Sequence, residues 1–113
     1  MQAIIDTGFI MHNIKSGDSF IISIESKGYK IRISKKILDE LKDIANSVKS
    51  GIENNNLAKK ALELFSDHKR FKRVDMGHCP ISESLIKKSE EGFFIGTLDK
   101  EVNRKIKNRI IVW

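Results

Sequence analysis

Residues 2–6, "QAIID", and 93–97, "FFIGT", are apolar on consecutive positions rather than on alternate ones. A strand of this kind has both faces covered, as in a parallel sheet sandwiched between helices. Both runs are too short to be buried helices, and each stops abruptly, the first at Asp6-Thr7-Gly8 and the second at Thr97. "YKIRIS" (29–34) alternates apolar and basic residues after Gly28. "FKRVDM" (71–76) and "RIIVW" (109–113) add two further strand candidates.

Segments of helical period lie between these strands. Ile37, Leu38, Leu41, Ile44, Ala45 and Val48 form one stripe over residues 35–50, with Ser34 placed to cap its start and Gly51 its end. Leu57, Ala58, Ala61, Leu62 and Phe65 make a second apolar face over 54–66. "ISESLIKKSEE" (81–91) and "DKEVNRKIKN" (99–108) complete the set. "SFIISIES" (19–26) has a strand-like composition. A helix there supplies a regular β-α-β crossover and is the preferred reading. The alternation predicts a three-layer α/β/α sandwich on a mainly parallel sheet, in one domain spanning residues 1–113.

The 113 residues are 40% hydrophobic and 32% charged, a balance suited to a globular core and unlike that of a disordered chain. No apolar run approaches the roughly 20 residues of a membrane span, and no signal-peptide pattern opens the chain. One cysteine, Cys79, excludes an internal disulfide and suits a reducing, cytoplasmic setting. The net charge of +6 fits a polyanionic partner such as nucleic acid. It fits an ordinary lysine-rich surface equally well.

Four acids fall where chemistry is expected. Asp6 ends the first strand, and Asp99 lies two residues beyond "FFIGT". Both therefore sit at carboxyl ends of buried strands, where open parallel sheets bind ligands. Glu40 borders the stripe of Ile37, Leu41 and Ile44, while Asp39 and Asp43 point away. Glu83 lies in the first turn of its helix. Singly, each has a structural explanation: an Asx-turn at Asp6, an ion pair with Lys36 at Glu40, a dipole contact at Glu83, an N-cap at Asp99. Gathered together, they would repel one another unless a cation neutralised them. Mg²⁺ or Mn²⁺ suits such an oxygen-only donor set.

"IIDTGFIM", "ISKKILDELKDI", "PISESLIKKSEEGFF" and "FIGTLDKEVNRKIKN" together resemble the PIN domain family, small metal-dependent nucleases that include VapC toxins and archaeal or eukaryotic RNA-processing enzymes. The first and last passages are the more specific. The resemblance implies a Mg²⁺- or Mn²⁺-dependent endoribonuclease acting on single-stranded RNA. Asp6, Glu40, Glu83 and Asp99 would be its acidic quartet and Thr97 the hydroxyl beside it. It further implies an antitoxin or ribonucleoprotein partner, and a homodimer among the assemblies the family forms. Gly8 stands where the family usually has Asn, and Ser82 where many archaeal members have Asp. These departures keep open a second reading, a non-catalytic PIN-like RNA-binding or scaffold module.

Asp-Thr-Gly is also the signature of aspartic proteases, in which two such carboxylates share a proton across a dimer. That fold is nearly all β, whereas residues 35–50 and 54–66 are helical by pattern. Phe9 also follows Gly8 where the protease motif needs a small residue. Arg104, Lys105 and Lys107 form a basic face on the last helix and are the preferred RNA contacts. In "HKRFKR" (68–73), Phe71 reads as a core residue rather than a base-stacking one. His78 and Cys79 lack zinc-site spacing, and His12 and His68 have no assignable role.

Overall fold

In the chain's structure, a computed structural model, residues 1–17 and 19–110 are described. The elements run β1 (Gln2–Ile5), α1 (Thr7–Ser16), α2 (Phe20–Ser26), β2 (Lys30–Ser34), α3 (Lys35–Asn46), a 3-10 turn (Val48–Ser50), α4 (Ile52–Leu64), β3 (Arg73–Val74), α5 (Ile81–Glu90), β4 (Phe94–Gly96) and α6 (Lys100–Lys105). The four strands form one parallel sheet in the order β3-β2-β1-β4. Ala3, Ile4 and Ile5 on successive positions of β1 are all fully buried, so both faces of the sheet are covered. The expected α/β sandwich on a parallel sheet is thus the observed one.

The chain builds β1, β2 and β3 outward in one direction, then places β4 on the other side of β1. Strand order reverses between β1 and β4, and the crevice at their carboxyl ends is where open α/β sheets hold ligands. Gly96 makes the local packing there possible. It pairs with Ile5, and a Cβ on it would lie 2.9 Å from Ile5 Cγ2, 3.1 Å from Ile110 Cδ1 and 3.2 Å from Phe9 Cε2. The absent side chain lets α1 press its Phe9 ring onto β4.

Several elements differ from the sequence expectation. Residues 7–16, given no element by pattern, form α1. Phe9, Ile10 and Met11 run together and hide the helical period. Asp6 caps the start of α1, accepting from the Phe9 N–H at 2.9 Å, rather than closing an Asx-turn with Gly8. Gly17 ends the helix in the left-handed region (φ 76°). The helix from residue 35 stops at Asn46, because Asn55 from α4 takes up the freed carbonyls of Ile44 and Ser47 at 2.6 and 2.8 Å. The strand at 71–76 shrinks to two residues, and α6 ends at Lys105, where Ile106 turns extended. Of the expected terminal strand, Arg109 makes a parallel bridge to Ile95, and residues 111–113 lie outside the described residues.

The core is one cluster around Ile4, Ile5, Ile10, Ile33, Ile37, Leu41, Leu85 and Ile95. Phe71 is buried in it, edge-on to Phe65 at 4.8 Å between ring centres, the core residue the sequence predicts, although it lies ahead of β3 rather than at its start. Among the described residues, no helix is long and apolar enough to cross a membrane.

Candidate metal and catalytic site

A small cleft of about 210 Å³ opens at the reversal point between β1 and β4. Its walls carry Asp6, Thr7 and Gly8 from the end of β1, Glu40 from α3, Ile81, Ser82 and Leu85 from α5, and Asp99 and Val102 from the start of α6. Three carboxylates therefore face one space, and none of the lining residues is basic. Among the described residues, no Lys or Arg forms an ion pair with any of the three.

Each acid is positioned by a different local device. Asp6 is half-buried; its Oδ1 accepts from the Phe9 N–H and its Oδ2 from the Thr97 hydroxyl. Thr97 is itself buried and accepts the Asp99 N–H at 3.1 Å, so one hydroxyl ties the two strand-end aspartates together. Asp99 is the N-cap of α6, its Oδ1 accepting from Glu101 N–H at 2.9 Å and Val102 N–H at 3.3 Å. Glu40 leaves Lys36, which turns to the Cys79 carbonyl at 2.6 Å, and accepts instead from the Thr7 hydroxyl at 2.6 Å. Asp39 and Asp43 are exposed and do not line the cleft.

Burial holds the Asp6 carboxyl above its ordinary range. The Thr97 hydroxyl and the Phe9 N–H oppose that rise, and the charges of Glu40 and Asp99 add to it.

Glu83 occupies the first turn of α5 but is exposed and does not line the cleft; Ser82 does. Thr7, which the sequence pattern does not mark as a site residue, does line it. The signal for Thr7 was its place directly after Asp6, and its partner Glu40 lies 33 residues away. On α6 and just beyond it, Lys105 and Lys107 are exposed, while Arg104 pairs with Glu101 on the surface.

Carboxylate and hydroxyl oxygens are the donors a hard divalent ion takes, and the uncompensated charge calls for one. As they stand, no three Asp, Glu, His or Cys side chains among the described residues are close enough to hold a metal between them. Glu40 Oε2 and Asp99 Oδ2 have no protein partner among those residues, so these two acids each keep one oxygen for a ligand, whereas both oxygens of Asp6 accept protein hydrogen bonds. The fit is therefore one of donor type and charge, with Asp6, Glu40 and Asp99 as the holders.

No protein-family model matches the chain, and neither does any curated protein. Among solved structures, that of the PIN domain endonuclease Utp24 is similar with a TM-score of 0.64, over 92% of this chain and 75% of that one, at 19% sequence identity. At that identity the likeness is one of fold, and it extends over nearly all the elements described above. In its fold, this chain is a PIN-like domain.

Proposed function

We propose that the chain is a Mg²⁺- or Mn²⁺-dependent endoribonuclease that cuts single-stranded RNA, in a toxin-like or RNA-processing role. The observation that carries this reading is the cleft itself: the carboxylates of Asp6, Glu40 and Asp99 and the hydroxyls of Thr7 and Ser82, with no cation among its lining residues, at the ligand-binding end of a PIN-like sheet. A solved structure of similar fold is that of an endonuclease. When bound, a divalent ion supplies charge neutralisation and Lewis acidity for phosphodiester hydrolysis.

The chain's own groups have distinct tasks in this scheme. Asp6, Glu40 and Asp99 hold the ion. Thr97 fixes the direction of the Asp6 carboxylate through its hydroxyl, and Thr7 does the same for Glu40. Ser82 offers the cleft's hydroxyl on the α5 wall. Glu83 joins this set only with a turn of its side chain toward the cleft, and Arg104, Lys105 and Lys107 would contact the RNA backbone. RNA is the proposed substrate; an antitoxin or ribonucleoprotein, and a second copy of the chain, are the proposed partners; and the cytoplasm is the proposed site of action.

One observation favours the alternative, a non-catalytic RNA-binding or scaffold module. Each carboxylate already accepts at least one protein hydrogen bond, and among the described residues no three acids share a coordination distance. Calorimetric titration of Mn²⁺ into the parent, Glu40→Gln and Asp99→Asn decides between them, together with cleavage of single-stranded RNAs with and without EDTA. The expected result is saturable binding and EDTA-sensitive cleavage by the parent, both lost in the variants. Equal Mn²⁺ binding by all three proteins would remove the metal assignment. Absence of cleavage on varied RNAs at any metal concentration would leave the binding module.

A further inference from the structure

A second cavity, about 420 Å³ in volume, is lined in part by Thr97 and shares no lining residue with the acidic cleft. That volume is within the range of small-molecule pockets. The walls are mixed in the way a flat heteroaromatic ring requires. Phe9, Leu98 and Ile110 supply apolar surface, and His12, Asn13 and Arg109 supply polar groups.

Asn13 is the informative residue. It is only 6% exposed, and its amide donates to the Phe9 carbonyl at 2.8 Å. Its side-chain carbonyl oxygen has no protein partner among the described residues, yet no buried side-chain oxygen there is left wholly shut from solvent without one. That oxygen is therefore an acceptor opening into the cavity whose wall it forms. An acceptor so placed takes its partner from solvent or from a ligand seated in the cavity.

Arg109 faces the same space. One guanidinium nitrogen donates to the Asn103 carbonyl at 2.8 Å, and Asn103 in turn donates to the Thr97 carbonyl at 3.0 Å. This chain of bonds fixes the guanidinium against the cavity and leaves its other N–H groups for a ligand. It also couples the cavity to the residue that orients Asp6.

We propose that this cavity between α1 and the β4–α6 connection binds a nucleobase of the substrate strand next to the phosphate held in the acidic cleft, with guanine the base whose pattern it fits. Guanine presents two adjacent acceptors that take an arginine fork, and N–H groups that meet an amide oxygen such as that of Asn13. The proposal rests on the nuclease reading for the strand's path, but base binding itself needs no metal.

The test uses the full chain in EDTA, where no metal-dependent cleavage occurs. The ribotrinucleotides UGU, UAU, UCU and UUU are titrated while amide resonances are followed by NMR. UGU is expected to shift residues 9–16, 96–98, 103 and 109, and to bind about tenfold more tightly than the others, the scale of discrimination a fork-type base contact gives. Arg109→Lys keeps the charge but loses the planar fork. It should abolish the preference for UGU, and an unchanged amide spectrum would show that the fold is intact. Equal binding of the four trinucleotides, shifts confined to other surfaces, or an Arg109→Lys protein that still prefers UGU would each overturn the proposal. Cleavage of the same sequences in Mn²⁺ is scored separately. Cavity shifts without cleavage sink the nuclease reading and leave the pocket; cleavage without cavity shifts does the reverse.

Discussion

Thr97→Val removes one hydroxyl and almost no volume, which makes it a clean probe of how the site is held together. The hydroxyl donates to Asp6 Oδ2 and accepts the Asp99 N–H. A hydrogen bond to a charged group contributes about 1.5–3 kcal/mol, and since Asp6 is half-buried a value near 2 kcal/mol is appropriate. At about 2.1 cal/mol/K of unfolding entropy per residue, a chain of 113 residues loses about 4 °C in Tm per kcal/mol, so the variant should melt about 8 °C lower at pH 7. The loss should depend on pH in a definite direction. The Thr97 bond lowers the Asp6 pKa, so its contribution is present while Asp6 is ionised and fades as pH falls through the Asp6 pKa. By pH 3 about half of the deficit should remain, the neutral bonds being worth about 1 kcal/mol. Thermal melts in EDTA from pH 3 to 8, for parent, Thr97→Val, Asp6→Asn and the double variant, measure this directly. A deficit that is the same at every pH, or that persists undiminished in the Asp6→Asn background, would refute the idea that the hydroxyl acts through the Asp6 charge.

Asp6→Asn should itself be stabilising at neutral pH without metal. Burial raises the Asp6 pKa above its ordinary 3.8, so the folded chain holds that proton more tightly than the unfolded one, and stability falls as pH rises through this window. Asn keeps the cap on α1 and has no proton to lose, so a Tm gain of a few degrees is expected at pH 7 and none at pH 3, checked by the same melts. Gly8→Asn should fold normally: Gly8 has no positive φ, it is exposed, and a Cβ there would come no nearer than 3.9 Å to Asp6 Oδ1. It should tighten Mn²⁺ binding by about tenfold, the lower end of what a supporting group contributes, and unchanged calorimetric affinity would show that the missing Asn does not limit the site.

The sheet was legible because consecutive buried positions such as Ala3, Ile4 and Ile5 are written as consecutive apolar residues. Helix α3 was legible because its stripe and its Ser34 cap agree, and Ser34 does accept the Lys36 N–H at 3.0 Å. Helix α1 was not, since its buried Phe9 and Ile10 adjoin half-buried Met11 and the run looks like a strand. Asp6 and Asp99 could be placed because strand ends fix the sheet edge to within a residue. Glu40 followed from the edge of an apolar stripe. Glu83 shows the limit of that method: in a first helical turn, adjacent residues point about 100° apart, and it is Ser82 that meets the cleft. The Thr7–Glu40 and Thr97–Asp6 bonds join residues 33 and 91 positions apart, and such pairings leave no local trace in a single sequence.

Asp6 and Asp99 are also the residues that start α1 and α6, each accepting main-chain N–H groups at a helix end. Loss of such a cap costs about 0.5–2 kcal/mol, whatever the chain does for a living cell. Selection for a folded protein would thus keep a capping side chain, Asp, Asn or Ser, at both positions whether or not the chain turns anything over. A descendant that cleaved nothing would still carry a helix-capping residue after its first strand and another after its fourth. Among relatives of this chain, Glu40, an exposed residue that caps no helix, would be the first to drift, and its identity would record the history of the activity better than either aspartate.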